Sequence, residues 1–217
     1  MDSPVLELRE LDDAPGPGAS LGHLGDPALE RARRFANPTD RNEFVAGRVA
    51  LRHFAASLLE VSPSRLTPDY HCPQCGKGQD HGRPGFILDG APAPLALSAS
   101  KAQGWLLLAA VVNPGPGLRL GVDVEAVSRV GFEGFDDVAL SAGENHFLST
   151  VPDTQRKKQR AQLWARKEAW LKMTGEGLRR NPAEVDVLER PGLRDLNSNS
   201  GGGIDLPEGF VAALAVG

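Results

Sequence analysis

Cysteine is almost missing: Cys72 and Cys75, in a single C-x-x-C, are the only two among 217 residues. They stand too close together to tie distant parts of the chain, so no disulfide framework is expected. Long apolar runs are missing too. The longest, Trp105 to Val112 and Phe210 to Val216, fall far below the roughly 20 residues of a membrane-spanning helix and read as strands. The first residues, MDSPVLELRELDD, have no basic flank leading into an apolar stretch. No signal peptide is therefore expected, and a reducing, cytoplasmic setting is the expectation. Positive charge is not in excess. The 24 Lys and Arg against 28 Asp and Glu give a net charge of -4, so bulk charge offers no reason to expect nucleic-acid binding. What remains is an ordinary globular composition, 41% hydrophobic and 24% charged, with room for one large domain or two small ones.

Pattern divides the chain into mixed elements. Residues 4–10 predict a short strand, Gly16 to Gly25 a loop, and a short basic helix ends near Phe35. A longer helix is expected from Asp40, which has capping-box spacing to Glu43; Phe44, Leu51 and Leu58 mark its buried stripe before Pro63. Residues 67–94, rich in Pro and Gly and holding both cysteines, read as an irregular loop. Strands at 105–112 and 118–125 flank Asn113-Pro114-Gly115-Pro116-Gly117, a turn signal that predicts a hairpin. Ser141 and Glu144 form a second capping box. The best helix, 154–174, stops at Gly175 and Gly177. Short strands near 184–189 and 210–216 and an Asn/Ser/Gly loop at 197–203 complete the chain. Helices and hairpin strands in this order predict an α+β fold.

Two segments carry chemistry. In Leu118 to Glu125, Leu and Val alternate with Arg119, Gly121, Asp123 and Glu125. On a strand this projects Asp123 and Glu125 from one face. Two adjacent carboxylates repel unless a cation lies between them, and hard oxygen donors of this kind suit Mg²⁺. A solvated polar face is the alternative. In the second segment, Leu163 to Leu178, helical spacing puts Trp164, Glu168, Leu171 and Lys172 near one face and Leu163, Lys167 and Trp170 on the next. Two tryptophans imply burial. An acid and a lysine on such a helix can serve as ligand or base and as phosphate contact; a surface ion pair is the plainer reading. Arg156, Lys157, Lys158, Arg160, Arg166, Lys167, Lys172, Arg179 and Arg180 are opposed only by Glu168 and Glu176. That cluster suits a polyphosphate or an acidic macromolecule.

Taken together, Gly121-Val122-Asp123-Val124-Glu125 and, about forty residues on, Trp164-x-x-Lys167-Glu168-Ala169-x-x-Lys172 with Gly175-x-Gly177-Leu178 resemble the signature of the Sfp-type 4′-phosphopantetheinyl transferases. Arg31-Ala32-Arg33-Arg34-Phe35, the following helix with Gly47 and Arg52, and Gly82-Arg83-Pro84 are similar to further family segments. Leu97-Ser98-Ala99-Ser100 stands where the family has N-x-S-H-S, with Ala99 in place of histidine and Lys101 the nearest residue able to supply the missing charge. The likeness runs from about residue 28 to 178. It implies two similar α+β halves, about 1–113 and 114–217, related by a pseudo-twofold with coenzyme A between them. Asp123, Glu125 and Glu168 would bind Mg²⁺, with Glu168 also the general base and Lys172 acting on the reacting phosphate. Lys167, Arg31, Arg52, Arg83, Ser98 and Ser100 would hold coenzyme A. The implied activity is of the holo-acyl-carrier-protein synthase type: a monomer moving the phosphopantetheine arm to a serine of an acidic apo acyl or peptidyl carrier protein and releasing 3′,5′-ADP. The Arg156–Lys158 region would steer the carrier.

Two other readings stay open. A non-catalytic coenzyme A-binding protein on the same fold would accommodate Ala99. A zinc module would use Cys72 and Cys75 with His71 and His81, although a single C-x-x-C supplies only half a site; two thiols in a loop is the plainer account. His53 and His146 read as structural or exposed.

Overall fold

Trp105–Val112 and Phe210–Val216 are apolar at almost every position because each is the central strand of a three-stranded sheet, buried on both faces. The computed structural model describes residues 3–11, 24–72, 75–77, 81–197 and 204–217. Its strands are β1 (Val5–Glu10), β2 (Leu66–Pro68), β3 (His71–Cys72), β4 (Gly76–Lys77), β5 (Phe86–Leu88), β6 (Ala91–Pro92), β7 (Leu95–Ala102), β8 (Trp105–Val112), β9 (Leu120–Ala126), β10 (Leu193–Leu196) and β11 (Phe210–Val216). Its α-helices are α1 (Asp26–Arg33), α2 (Pro38–Leu58), α3 (Phe135–Ala139), α4 (Ala142–Thr150) and α5 (Asp153–Thr174). Among the described residues, no helix is long and apolar enough to cross a membrane.

The α+β halves share one topology. In the first, β1, α2, β7 and β8 follow in sequence and the sheet order is β1-β8-β7; in the second, β9, α5, β10 and β11 follow and the order is β10-β11-β9. Both place the last strand between the other two. Alternation then builds the layers. Leu106, Leu108 and Ala110 of β8 pack on Leu51, Phe54 and Ala55 of α2. Val211, Ala213 and Ala215 of β11 pack with Ala161, Ala165 and Ala169 of α5. The opposite faces of the two sheets, Leu107, Ala109 and Val111 against Val122, Val124, Ala212 and Leu214, meet in a shared core.

Several sequence expectations are redrawn. Asn113–Gly117 does not close a hairpin: β8 pairs with β1 and β7, β9 pairs with β11, and the Pro/Gly segment carries the chain from one sheet to the other. The hairpin lies one step earlier, between β7 and β8, turning through Gln103 and Gly104 at φ 46° and 81°, the left-handed pair of a tight two-residue turn. Helix α2 starts before Asp40, because Asn37 accepts the Thr39 N–H at 2.9 Å and Pro38 takes the first turn. Residues 67–94 contain short paired strands. No strand forms at 184–189, where the Val187 N–H is taken by Glu144 Oε1 at 2.9 Å; the second-half strand is β10. The Ser141–Glu144 capping box is present. Most of the Gly16–Gly25 and 197–203 loops lies outside the described residues.

Gly121 sets the seat of α5. A Cβ there would lie inside contact distance of Ala169 O and 2.6 Å from Met173 N, both backbone atoms that cannot swing away. Gly121→Ala should therefore cost at least ~3 kcal/mol, lowering the melting temperature by about 6–12 °C. Gly117→Ala, at φ 81° with open space around it, should lose only about 1–2 kcal/mol of backbone strain. Equal losses in thermal melts would contradict this seating.

Candidate active site

Because β9 alternates, Val122 and Val124 enter the inter-sheet core while Gly121, Asp123 and Glu125 turn toward α5. Asp123 is only 5% exposed. Its Oδ1 accepts from Lys172 Nζ at 2.7 Å and from Ser100 Oγ at 2.6 Å, and Lys172 also donates to Val122 O at 3.1 Å. Glu125 and Glu168 are half-buried, and Glu125 Oε1 accepts the Ala126 N–H at 2.8 Å. Burial pushes all three carboxyls above the ordinary carboxylate range. Lys172 opposes the rise, while Asp123 raises Glu125 and both raise Glu168. Three desolvated carboxyls on facing elements, Glu168 being raised by both of the others, offer hard oxygens of the type Mg²⁺ takes, although they do not all stand within 4.8 Å of one another.

Lys172 and Ser100 also line a cleft of ≈ 640 Å³ between the halves. Its other walls include Arg31, Phe44, Arg48, Tyr70, Arg83 and Ala99. Arg48 lies 3.7 Å from the Tyr70 ring centroid and Arg31 lies 5.2 Å from that of Phe44, stacking cations on aromatic faces. Arg83 donates to Met173 O at 2.7 Å, and its buried Nε has no hydrogen-bond partner among the described residues. An arginine that lines the cleft with one N–H unsatisfied has a donor to spare for an anion.

The structure brings Arg31, Arg83, Ser98, Ser100 and Lys172 to the cleft but places others elsewhere. Lys167 corrects its assignment: it is fully buried, paired with Glu144 Oε2 at 2.7 Å, and donates to Pro182 O at 2.8 Å and to Val185 O. Arg52 is likewise buried, donating to Pro63 O at 2.5 Å. The serine hydroxyls are committed to β9: Ser98 Oγ accepts the Val122 N–H at 3.0 Å, and Ser100 binds Asp123. Lys101 pairs with Glu43. Arg156 donates to Leu148 O at 3.1 Å and Val151 O at 3.2 Å and pairs with Asp153. It lies about 18 Å along the helix axis from Glu168 at 1.5 Å per residue. Arg48 and Tyr70 escaped the sequence reading. Arg48 shares the α2 face of Phe44 and Leu51, and that periodicity could have selected it over Arg52.

A raised carboxyl binds its proton more tightly in the folded chain, so metal-free stability falls as pH rises from the ordinary carboxylate value of about 4 through the raised folded values. Glu168→Gln removes one repelling charge. It should melt about 2–4 °C above the parent at pH 8, the size of ~1 kcal/mol in a chain of this length, with the gain vanishing toward pH 4. Mg²⁺ should raise the parent's melting point more than the variant's. A gain independent of pH would contradict carboxylate repulsion.

The family model of the 4′-phosphopantetheinyl transferase superfamily matches residues 119–215, from the start of β9 through β11. The chain is 28% identical over 190 residues to the 4′-phosphopantetheinyl transferase HetI of Nostoc sp., covering 87% of this chain and 70% of that protein. It is 30% identical over 117 residues to 4′-phosphopantetheinyl transferase 1 of Fusarium mangiferae, covering 44% of this chain and 40% of that one. The half that carries the carboxyls is thus similar to the 4′-phosphopantetheinyl transferase superfamily, and the likeness to the Nostoc protein extends into the first half.

Proposed function

We propose that the protein moves the 4′-phosphopantetheine arm of coenzyme A onto a serine of an apo acyl or peptidyl carrier protein, in the manner of the Sfp-type enzymes. The observation that carries this reading is the convergence of Lys172 and Ser100, which line the inter-half cleft, on Asp123. Residues 1–113 would receive the nucleotide end of coenzyme A, with Arg31, Arg48 and Arg83 as phosphate partners. Residues 114–217 would carry the reacting end. Asp123, Glu125 and Glu168 would hold Mg²⁺, which when bound draws charge from the pyrophosphate.

The carrier serine oxygen bonds to the β-phosphorus, the bond from that phosphorus to the bridging oxygen breaks, and 3′,5′-ADP departs with the electron pair. Glu168 accepts the serine proton as the general base. Lys172, 30% exposed at its side chain, keeps a partly wetted ammonium that can follow charge from Asp123 to the leaving phosphate. Committing the Ser98 and Ser100 hydroxyls to β9 suits positioning of the Asp123 strand rather than direct grip on the nucleotide.

Incubation with coenzyme A, Mg²⁺ and a panel of apo-carriers should add the mass of the arm to at least one carrier. Glu168→Gln and Lys172→Ala should each lower turnover roughly a hundredfold or more. A change confined to the carrier KM would make α5 a docking surface instead. Ala99 lines the cleft on β7, where an imidazolium would add a charge-assisted bond. Ala99→His should lower the coenzyme A KM up to ~10-fold, most strongly below about pH 6.5. An unchanged KM across that range would show that the cleft already supplies the charge.

A further inference from the structure

Among the described residues, one group of His, Cys, Asp or Glu side chains has every ligand atom within 4.8 Å of every other: Cys72, Cys75 and His81. It lies apart from the three carboxyls, in the Pro/Gly-rich segment that follows α2. Ligand atoms sharing one zinc ion at about 2.0–2.3 Å cannot stand more than about 4.6 Å apart, so the cluster is already near the size of a zinc shell.

The backbone is built to bring these atoms together. Strands β3 and β4 pair Cys72 with Gly76 across a reversal that contains Cys75. Gly76, at φ 83°, permits the turn immediately after the second thiol. His81 arrives from further along the chain because the 81–83 backbone lies directly on β3. His71 and Arg83 exchange hydrogen bonds, N–H to O, of 3.0 and 2.9 Å. Gly82, at φ 95°, fits where a Cβ would lie 2.7 Å from Cys72 Cα and still closer to His71 O. Only a residue without a side chain allows that crossing. Cys72 and Cys75 form no disulfide.

We propose that Cys72, Cys75 and His81 bind a zinc ion. Two thiols and an imidazole are soft and borderline donors that select zinc over the magnesium suited to Asp123, Glu125 and Glu168. Binding releases the two thiol protons and leaves the fourth tetrahedral position to water. The ion fastens the 66–94 segment where β3 and β4 pair over only two residues. It also fixes Arg83, whose backbone grips His71 and whose guanidinium reaches Met173 O at the end of α5. Cys72, His81 and Arg83 all line the cleft, so the zinc acts as a clamp on one of its cationic walls. The clamp rests on the reading of the cleft as the coenzyme A site; the metal site does not.

The full chain, purified with a phosphine reductant and no chelator, should contain ~1 zinc per chain by elemental analysis. Replacement by Co²⁺ should give the visible bands of a tetrahedral thiolate site. Cys75→Ser, at an exposed position, should fold with unchanged circular dichroism yet lose both metal and bands; Cys72→Ser should do the same. His71→Ala, outside the cluster, should keep them. Absence of zinc and of cobalt bands with both thiols reduced, or a Cys72–Cys75 disulfide in the isolated protein, would overturn the site. Calorimetry of coenzyme A binding to the zinc-free Cys75→Ser protein should show a roughly tenfold weaker Kd, about 1.4 kcal/mol. Unchanged affinity there would overturn the clamp alone. Zinc retained in a protein that transfers nothing to any carrier would overturn the transferase reading and leave the metal site standing.

Discussion

The chemistry depends on how closely one helix lies on one strand. At Gly121 the backbone of α5 comes so near β9 that no Cβ fits, with Ala169 O and Met173 N as the obstructing atoms. The small residues Ala161, Ala165 and Ala169 continue the close approach along the helix. This contact fixes the register of α5, and the register aims Lys172 at Asp123 and brings Glu168 within electrostatic reach of Asp123 and Glu125. A glycine that reads as an interruption in a strand thus governs how Asp123 and Glu125, two and four residues further along β9, are spaced against Glu168 and Lys172, which adjoin its two contacts on α5.

The two lysines of the helix signature illustrate how environment divides function. Lys167 is fully enclosed, and its charge is met by Glu144 and two carbonyls. Burial lowers its pKa and Glu144 opposes that fall. Glu144 is in turn held by the Ser141 and Val187 N–H groups. A buried pair satisfied on every side organises the packing of α4, α5 and the 182–187 segment, and losing one partner costs about 3–5 kcal/mol. Lys172, one and a half turns further, keeps part of its side chain in the cleft and faces Asp123, whose carboxyl burial pushes up while Lys172 and Ser100 hold it down. The first arrangement rewards rigidity. The second leaves room for an anion to compete for the ammonium.

Much of this was legible from sequence because it follows from local rules. Alternation on β9 identifies Asp123 and Glu125, the Ser141–Glu144 capping box marks α4, and Gly175 ends α5 in the left-handed conformation. What was not legible depends on long-range partners. The Asn113–Gly117 turn has hairpin chemistry, but its flanking strands find better partners in different sheets. Helical spacing put Lys167 beside Glu168; it could not reveal that Glu144, 23 residues earlier by chain number, would claim it. Gly82 and Gly76 look like loop glycines until the chain they allow to cross is seen.

The central claim is that the carboxyl cluster under α5 is the reacting end of a phosphopantetheinyl transferase. Its most direct test is the mass of an apo-carrier after incubation with coenzyme A, Mg²⁺ and either the parent chain or Asp123→Asn. That variant keeps the side chain's shape and removes its charge. The account predicts that the parent adds the phosphopantetheine arm, while the folded variant leaves the carrier at its starting mass. Transfer by Asp123→Asn at the parent's rate would contradict it.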